Sequence, residues 1–375
     1  MILRYLAIPF GIGLAFLVLW LMWPSPINPI RWDEPAAPPL DGVLSPDDDL
    51  AAATIFQAGA PSAARSVAVS TDGMVYFGTS DGDLMRLRTG LSDDDIQPEY
   101  LAHIADAPLF GLAWIDESNL AIAATGSIHA FNLTSLEVRT LSTGSTARSF
   151  GNLSSLTVAD NGVIYFTDSS ARWDHASPRP GYFYDMLENR PNGLVYAWDP
   201  RRRITAQVRD RLYYPTGIAL ASDGQSLLVS ETFRYMIQRI WVAGPRRGEI
   251  EVFAKNLPGM PTGIALDGKG GVIVAMATRR SRLLATAHRN PGLTRFLIKL
   301  PQWLRPTDSR PQGFVLRLNE SDGQIRDAFH DQDSALNYLS SVTIGPGGAM
   351  WLGSSFGGVI GHFDPDDLGD QTAQP

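Results

Sequence analysis

Hydrophobic and polar positions along the chain fall into one short unit that recurs six times. Each copy has a small residue, an aliphatic, Ala or Thr, and a further apolar residue. A turn and a second apolar run follow. The copies begin at Ser66, Gly111, Ser155, Gly217, Gly263 and Ser341. Three of the second runs open after Asp72-Gly73, Asn161-Gly162 and Asp223-Gly224, pairs that mark hairpin turns between strands. A third strand often follows, as in Leu194–Pro200 and Ile237–Val242. The starts are 45, 44, 62, 46 and 78 residues apart, so three intervals fit a blade of about 40–50 residues and two hold insertions. The pattern predicts an all-β chain, a six-bladed β-propeller, with Ala51–Gln57 as the strand that completes the last blade and closes the ring.

Ahead of the repeats the periodicity disappears. Tyr5–Trp23 is a run of 19 residues without a charge, long enough to cross a bilayer as a helix. Trp20 and Trp23 sit at its end, where an interfacial aromatic belt would lie. Arg4 and the α-amine are the only early positive charges, which favours a cytoplasmic N-terminus and an exported body. The expected order is a single transmembrane signal anchor over 1–23, a Pro-rich linker over 24–48, the propeller over 49–366 and a disordered tail over 367–375. A cleaved signal peptide is the rival reading of the first segment. The triple acid Asp47–Asp49 reads as a solvated end of the linker.

Composition narrows the chemistry. The 375 residues include no Cys, which excludes disulfides, a thiolate metal site and a cysteine nucleophile. A net charge of -8 with few basic runs argues against nucleic acid as a partner. The six His show no metal-binding spacing. The insertion over 169–192 carries Arg172, Trp173, Asp174, His175, Tyr182, Tyr184, Asp185 and Glu188, a composition suited to a lid over a small-molecule ligand at one mouth of the channel. The insertion over 279–312 carries Arg279, Arg280 and Arg282 and a short amphipathic helix around Leu293–Leu300. The arginine groups suit either a solvated rim or contact with anionic headgroups. Asp168 and Glu231 each end a second strand. They could serve as carboxylate bases, with Arg and hydroxyl groups as oxyanion donors, or as structural acceptors for backbone amides.

The stretch Tyr165–Ser170, followed in order by segments starting at Asn192, Leu212, Leu227, Gly244, Asn256 and Met350, resembles the strictosidine-synthase-like family. That family is a branch of the six-bladed propellers that also include gluconolactonases, senescence-marker-type lactonases and paraoxonases. The resemblance spans about 60–365 and implies a membrane-anchored subgroup with the propeller on the extracytoplasmic side, and a hydrolase of the ester or lactone class. A non-catalytic propeller that binds a small ligand or a protein partner at the membrane surface is the alternative. The family pattern also implies that Arg65, Phe110, Ser154, Thr216, Thr262 and Ser340 line the channel. Calcium-dependent relatives place Glu, Asn and Asp at several of these positions, and here none is a carboxylate. The expectation is therefore a hub without metal and no cofactor, since Ca²⁺ takes six to eight oxygens, usually including carboxylates. The Glu on which strictosidine synthase relies near the start of its last blade has no counterpart in Tyr338–Val342, so that condensation is not expected.

Overall fold

The computed structural model describes residues 20, 23–58, 64–88, 97–173, 181–300, 312–332, 336–355 and 357–368. The chain forms two compact units. The larger comprises Pro35–Met186, Pro191–Arg280 and Ser309–Pro375 and is the propeller. Six antiparallel four-stranded sheets make its blades. They run from β2 (Ser66–Val69) to β5 (Glu99–His103), β6 (Leu109–Asp116) to β9 (Val138–Ser142), and β10 (Leu153–Val158) to β13 (Ile204–Leu212). The next two are β14 (Pro215–Leu220) to β17 (Ile250–Ala254) and β18 (Gly259–Leu266) to β21 (Ile325–His330). The sixth joins β22 (Leu339–Ile344), β23 (Met350–Ser354) and β24 (Val359–Phe363) to β1 (Thr54–Gln57), with Thr54 opposite His362 and Gln57 opposite Val359. The expected closing strand thus closes the ring.

All six predicted unit starts fall within the first strand of a blade. These strands neighbour one another in a complete circuit, β2, β6, β10, β14, β18, β22 and back to β2, so they surround the axis. The small residue of the repeat follows from that crowding. A Cβ on Gly217 would lie 1.9 Å from the carbonyl oxygen of Thr262 on the next blade. Apolar side chains fill the space between blades. Leu84, Leu109, Leu120 and Phe131 pack between the first two, and Phe150, Phe166 and Tyr196 form an aromatic triad between the second and third. Each such buried side chain contributes about 1.5–3 kcal/mol of transfer free energy.

Two acids of the expected linker end are tied to the propeller, although Asp48 stays exposed. Asp47 accepts from the His330 N–H at 3.0 Å and Asp48 from the Gln332 N–H at 2.9 Å, because the end of β21 leaves donors that no strand takes. Leu50, three residues on, is buried in the cluster between the fifth and sixth blades.

The smaller unit comprises Met1–Glu34, Leu187–Arg190 and Ser281–Asp308. Helix α1 (Gly181–Glu188) ends in it. Its own helices are α2 (Arg282–Arg289), capped by Ser281 accepting from the Leu284 N–H, and α3 (Pro291–Leu297), opened by Pro291. The expected helix around Leu293–Leu300 therefore starts two residues earlier, at the proline, and follows a second helix the sequence reading lacked. Residues 28–34, read as linker, are held in place. Asn28 N–H donates to Glu188, Ile30 N–H to the Glu188 carbonyl and Trp32 N–H to the His288 carbonyl. Glu34 pairs with buried His288 at 2.9 Å. Of Tyr5–Trp23 only Trp20 and Trp23 are described, so the expected spanning helix lies outside the described residues. Among the described residues no helix is long and apolar enough to cross a membrane.

Candidate functional site: the hub of the propeller

The six positions expected to line the channel divide into two kinds. Ser340 donates its hydroxyl to the Arg65 carbonyl at 2.7 Å, which joins the sixth blade to the first. Thr262 donates to the Leu339 carbonyl at 2.8 Å, fifth to sixth. Thr216 lies 2.7 Å from Thr232, whose hydroxyl donates to the Pro261 carbonyl at 2.8 Å, fourth to fifth. Around these sit Ser230, donating to the Thr262 carbonyl at 2.8 Å, and Thr167 and Ser169, donating to the Thr216 and Pro215 carbonyls at 2.6 and 2.7 Å. Four of the six joints between blades are thus fastened by hydroxyl-to-carbonyl bonds. Among the described residues the joints flanking the second blade have none of this kind. There the main chain takes over, with Leu109 N–H on the Thr79 carbonyl and Leu153 N–H on the Thr125 carbonyl. Ser66 and Thr125 keep buried hydroxyls without a partner.

Phe110 stands in this unfastened sector, and Arg65, whose carbonyl takes the Ser340 hydroxyl, turns its side chain toward it. The Arg65 guanidinium lies 5.2 Å from the Phe110 ring centroid, and its Nε–H donates to Ser80 at 3.2 Å. No carboxylate pairs with it among the described residues. Burial pulls its guanidinium below the usual range, opposed by the phenols of Tyr214 and Tyr182. The sequence reading left out Tyr214 and Tyr338. Both have left-handed backbones (φ 53° and 47°) two residues ahead of a channel position, Thr216 and Ser340. An aromatic recurring at that offset was the available signal. Burial pushes the Tyr214 phenol far above its usual range.

Asp168 and Glu231 lie at matching places, the last residues of β11 (Ile164–Asp168) and β15 (Ser226–Glu231). Both are buried. Asp168 accepts from the Gly151 and Asn152 amides at 2.9 and 2.8 Å, and Glu231 from the Tyr213 amide and the Gln238 side chain, both at 3.0 Å. Desolvation raises both carboxyls, opposed chiefly by those backbone bonds. The two networks meet at one phenol. Asn152, held by Asp168, donates its side-chain amide to the Tyr214 hydroxyl at 3.3 Å, and Glu231 fixes the residue before Tyr214. Tyr214 also stacks on Phe233 at 4.4 Å. Arg234 lies over the Tyr213 ring at 3.6 Å.

The lid residues are partly brought together. Trp173 stacks against Tyr184 at 4.8 Å with Arg172 over its outer ring, and Ser170 donates to Asp185 at 2.6 Å. Asp174 and His175 lie outside the described residues. Arg172 lines an open groove of about 320 Å³ with Arg148, Asn192 and Arg211.

The donor set does not fit a calcium ion. None of the six positions is a carboxylate, and the hydroxyls of Thr216, Thr262 and Ser340 are engaged with neighbouring residues. A guanidinium stands on the same ring. No group of three or more His, Asp or Glu suited to a metal occurs among the described residues.

The fold is a six-bladed β-propeller. Solved structures agree. A gluconolactonase of Xanthomonas campestris superposes with TM-score 0.58 at 16% identity, covering 91% of this chain and 98% of that one. A luciferin-regenerating enzyme gives 0.57 at 8% identity, covering 84% and 96%. At those identities the likeness concerns the fold alone. The chain is also similar to the strictosidine-synthase-like family. The family model for strictosidine synthase matches residues 154–245. Human adipocyte plasma membrane-associated protein is 28% identical over 93% of this chain and 86% of its own length. The strictosidine synthase-like protein 6 of Arabidopsis thaliana is 27% identical over 78% and 76%.

Proposed function

We propose that the chain is a membrane-associated propeller that binds a small ligand of the ester or lactone class, or its carboxylate product, at one mouth of the channel. Arg65 is the anchor for its oxygen. The observation that carries this reading is Arg65 itself, a half-buried cation with a hydroxyl and an aromatic ring for company and no carboxylate among the described residues. A carboxylate or polarised carbonyl placed there gains a charge-assisted bond in a partly desolvated site. Phe110 supplies an apolar wall, and the phenols of Tyr182 and Tyr214 add donors. In this reading the hub works without a metal or other cofactor, and the single-pass anchor holds the propeller on the extracytoplasmic side. The uncharged run Tyr5–Trp23 and relatives named for the plasma membrane support that placement.

Hydrolysis of the bound ligand is a second reading, favoured by one observation. The raised carboxyls of Asp168 and Glu231 are displaced toward the pH at which a general base works well. Both already accept two hydrogen bonds, which is why binding stands first. One experiment separates the two. Esters, lactones and the corresponding free acids are titrated into the full chain by calorimetry and assayed for turnover, with and without chelator. Binding that weakens about tenfold in R65A while turnover stays at the level of D168N/E231Q supports binding alone. Turnover lost in D168N/E231Q with binding kept supports hydrolysis. Ligand affinity unchanged in R65A sinks the proposal.

A further inference from the structure

In the smaller unit, α3 carries Leu293 and Phe296 on its outer face, each 40% exposed, while Thr294 and Ile298 point inward and are buried. Trp23 beside the apolar run is 72% exposed. Trp20, within that run, packs edge-on against Phe296 at 5.8 Å, and the Lys299 ammonium lies 6.0 Å from its ring. From Arg282 to Lys299 the chain has Arg282, Arg289, Arg295 and Lys299 and no acid, in a protein whose net charge is -8. Exposed aromatic and aliphatic groups in a segment with four cations and no acid, in covalent continuity with an uncharged run of membrane-spanning length, are the composition of an interfacial face.

We propose that the face built by Trp23, Leu293, Phe296 and the cations of α2 and α3 rests on the anionic headgroup surface of the bilayer that takes the N-terminal run. Trp20 on Phe296 couples the end of that run to α3, and each cation near an acidic surface adds attraction. The inference rests on the membrane placement proposed above, and its test can fail separately. Because the chain has no cysteine, a polarity-sensitive dye on L293C reports one site. The full chain is reconstituted into vesicles of phosphatidylcholine alone or mixed with phosphatidylserine. The expected result is a blue shift and about tenfold weaker iodide quenching in the mixed vesicles, reversed by R282E/R289E and by high salt. Equal quenching in both vesicle types overturns the proposal. So does a shift that follows protein concentration without lipid, which would mark a second copy as the occupant. Carbonate extraction reads the anchor independently. Wild-type chain that resists extraction but shows no lipid-dependent shift retains the anchor and sinks this face. Unchanged melting temperature in L293C excludes misfolding as the cause.

Discussion

The two sectors of the hub invert one another. From the third blade round to the first, hydroxyls of Thr167, Thr232, Thr262 and Ser340 reach the carbonyls of the next blade. Around the second blade that linkage is missing among the described residues, and the positions expected to line the channel are Arg65 and Phe110. Positions that a metal-binding propeller would use for ligands are here divided between fastening the ring and presenting one cation. The same register can fasten neighbouring blades or leave a side chain unfastened, and the side chain's bonds, not its place in the repeat, decide which.

The largest expected effect is steric. G217A drives a Cβ against the Thr262 carbonyl in the fastened sector, where overpacking should cost about 3 kcal/mol by chemical denaturation. T262V removes a hydroxyl that reaches two buried carbonyls, Ala275 and Leu339, and should cost about 1–3 kcal/mol by the same measurement. R65A, in the other sector, should leave the melting temperature unchanged and weaken ligand binding about tenfold, near 1.4 kcal/mol.

The pH dependence reads both sectors. Burial holds His129 and His330 below the ordinary 6.5. The unfolded chain then takes up protons near that value which the folded chain refuses, so stability falls as pH drops through 6.5. H129Q should shrink the fall in melting temperature between about pH 7.5 and pH 5.5, by roughly 1 kcal/mol or less. The smallest effect is expected of S66A. Its hydroxyl has no partner, so the variant should lie within about 0.5 kcal/mol of wild type, and a loss like that of T262V would erase the distinction between sectors.

The repeat was legible because its cause is local. Gly217 and Gly263 are small since each first strand presses on the next, and that demand recurs wherever a blade begins. Ring closure was legible from the surplus strand at Thr54–Gln57. The hub's bonding was not. Thr262 reaches a carbonyl 77 residues away, and a backbone acceptor leaves no mark on the residue that carries it. The convergence of Asp168 and Glu231 on Tyr214 was hidden for the same reason, since the link passes through amides of Asn152 and Tyr213. What sequence did give was the type of residue at each channel position, enough to see that carboxylates were missing.

The pairing of β1 with β24 sets a timetable for synthesis. Thr54 leaves the ribosome about 300 residues before His362, its partner in the sheet. At about 5–20 residues per second, β1 waits roughly 15–60 s with an open edge while five blades form behind it. The last blade is completed by the oldest strand. Any early hold on that strand, such as a neighbouring run already lodged in a bilayer, fixes one end of the ring before the other exists.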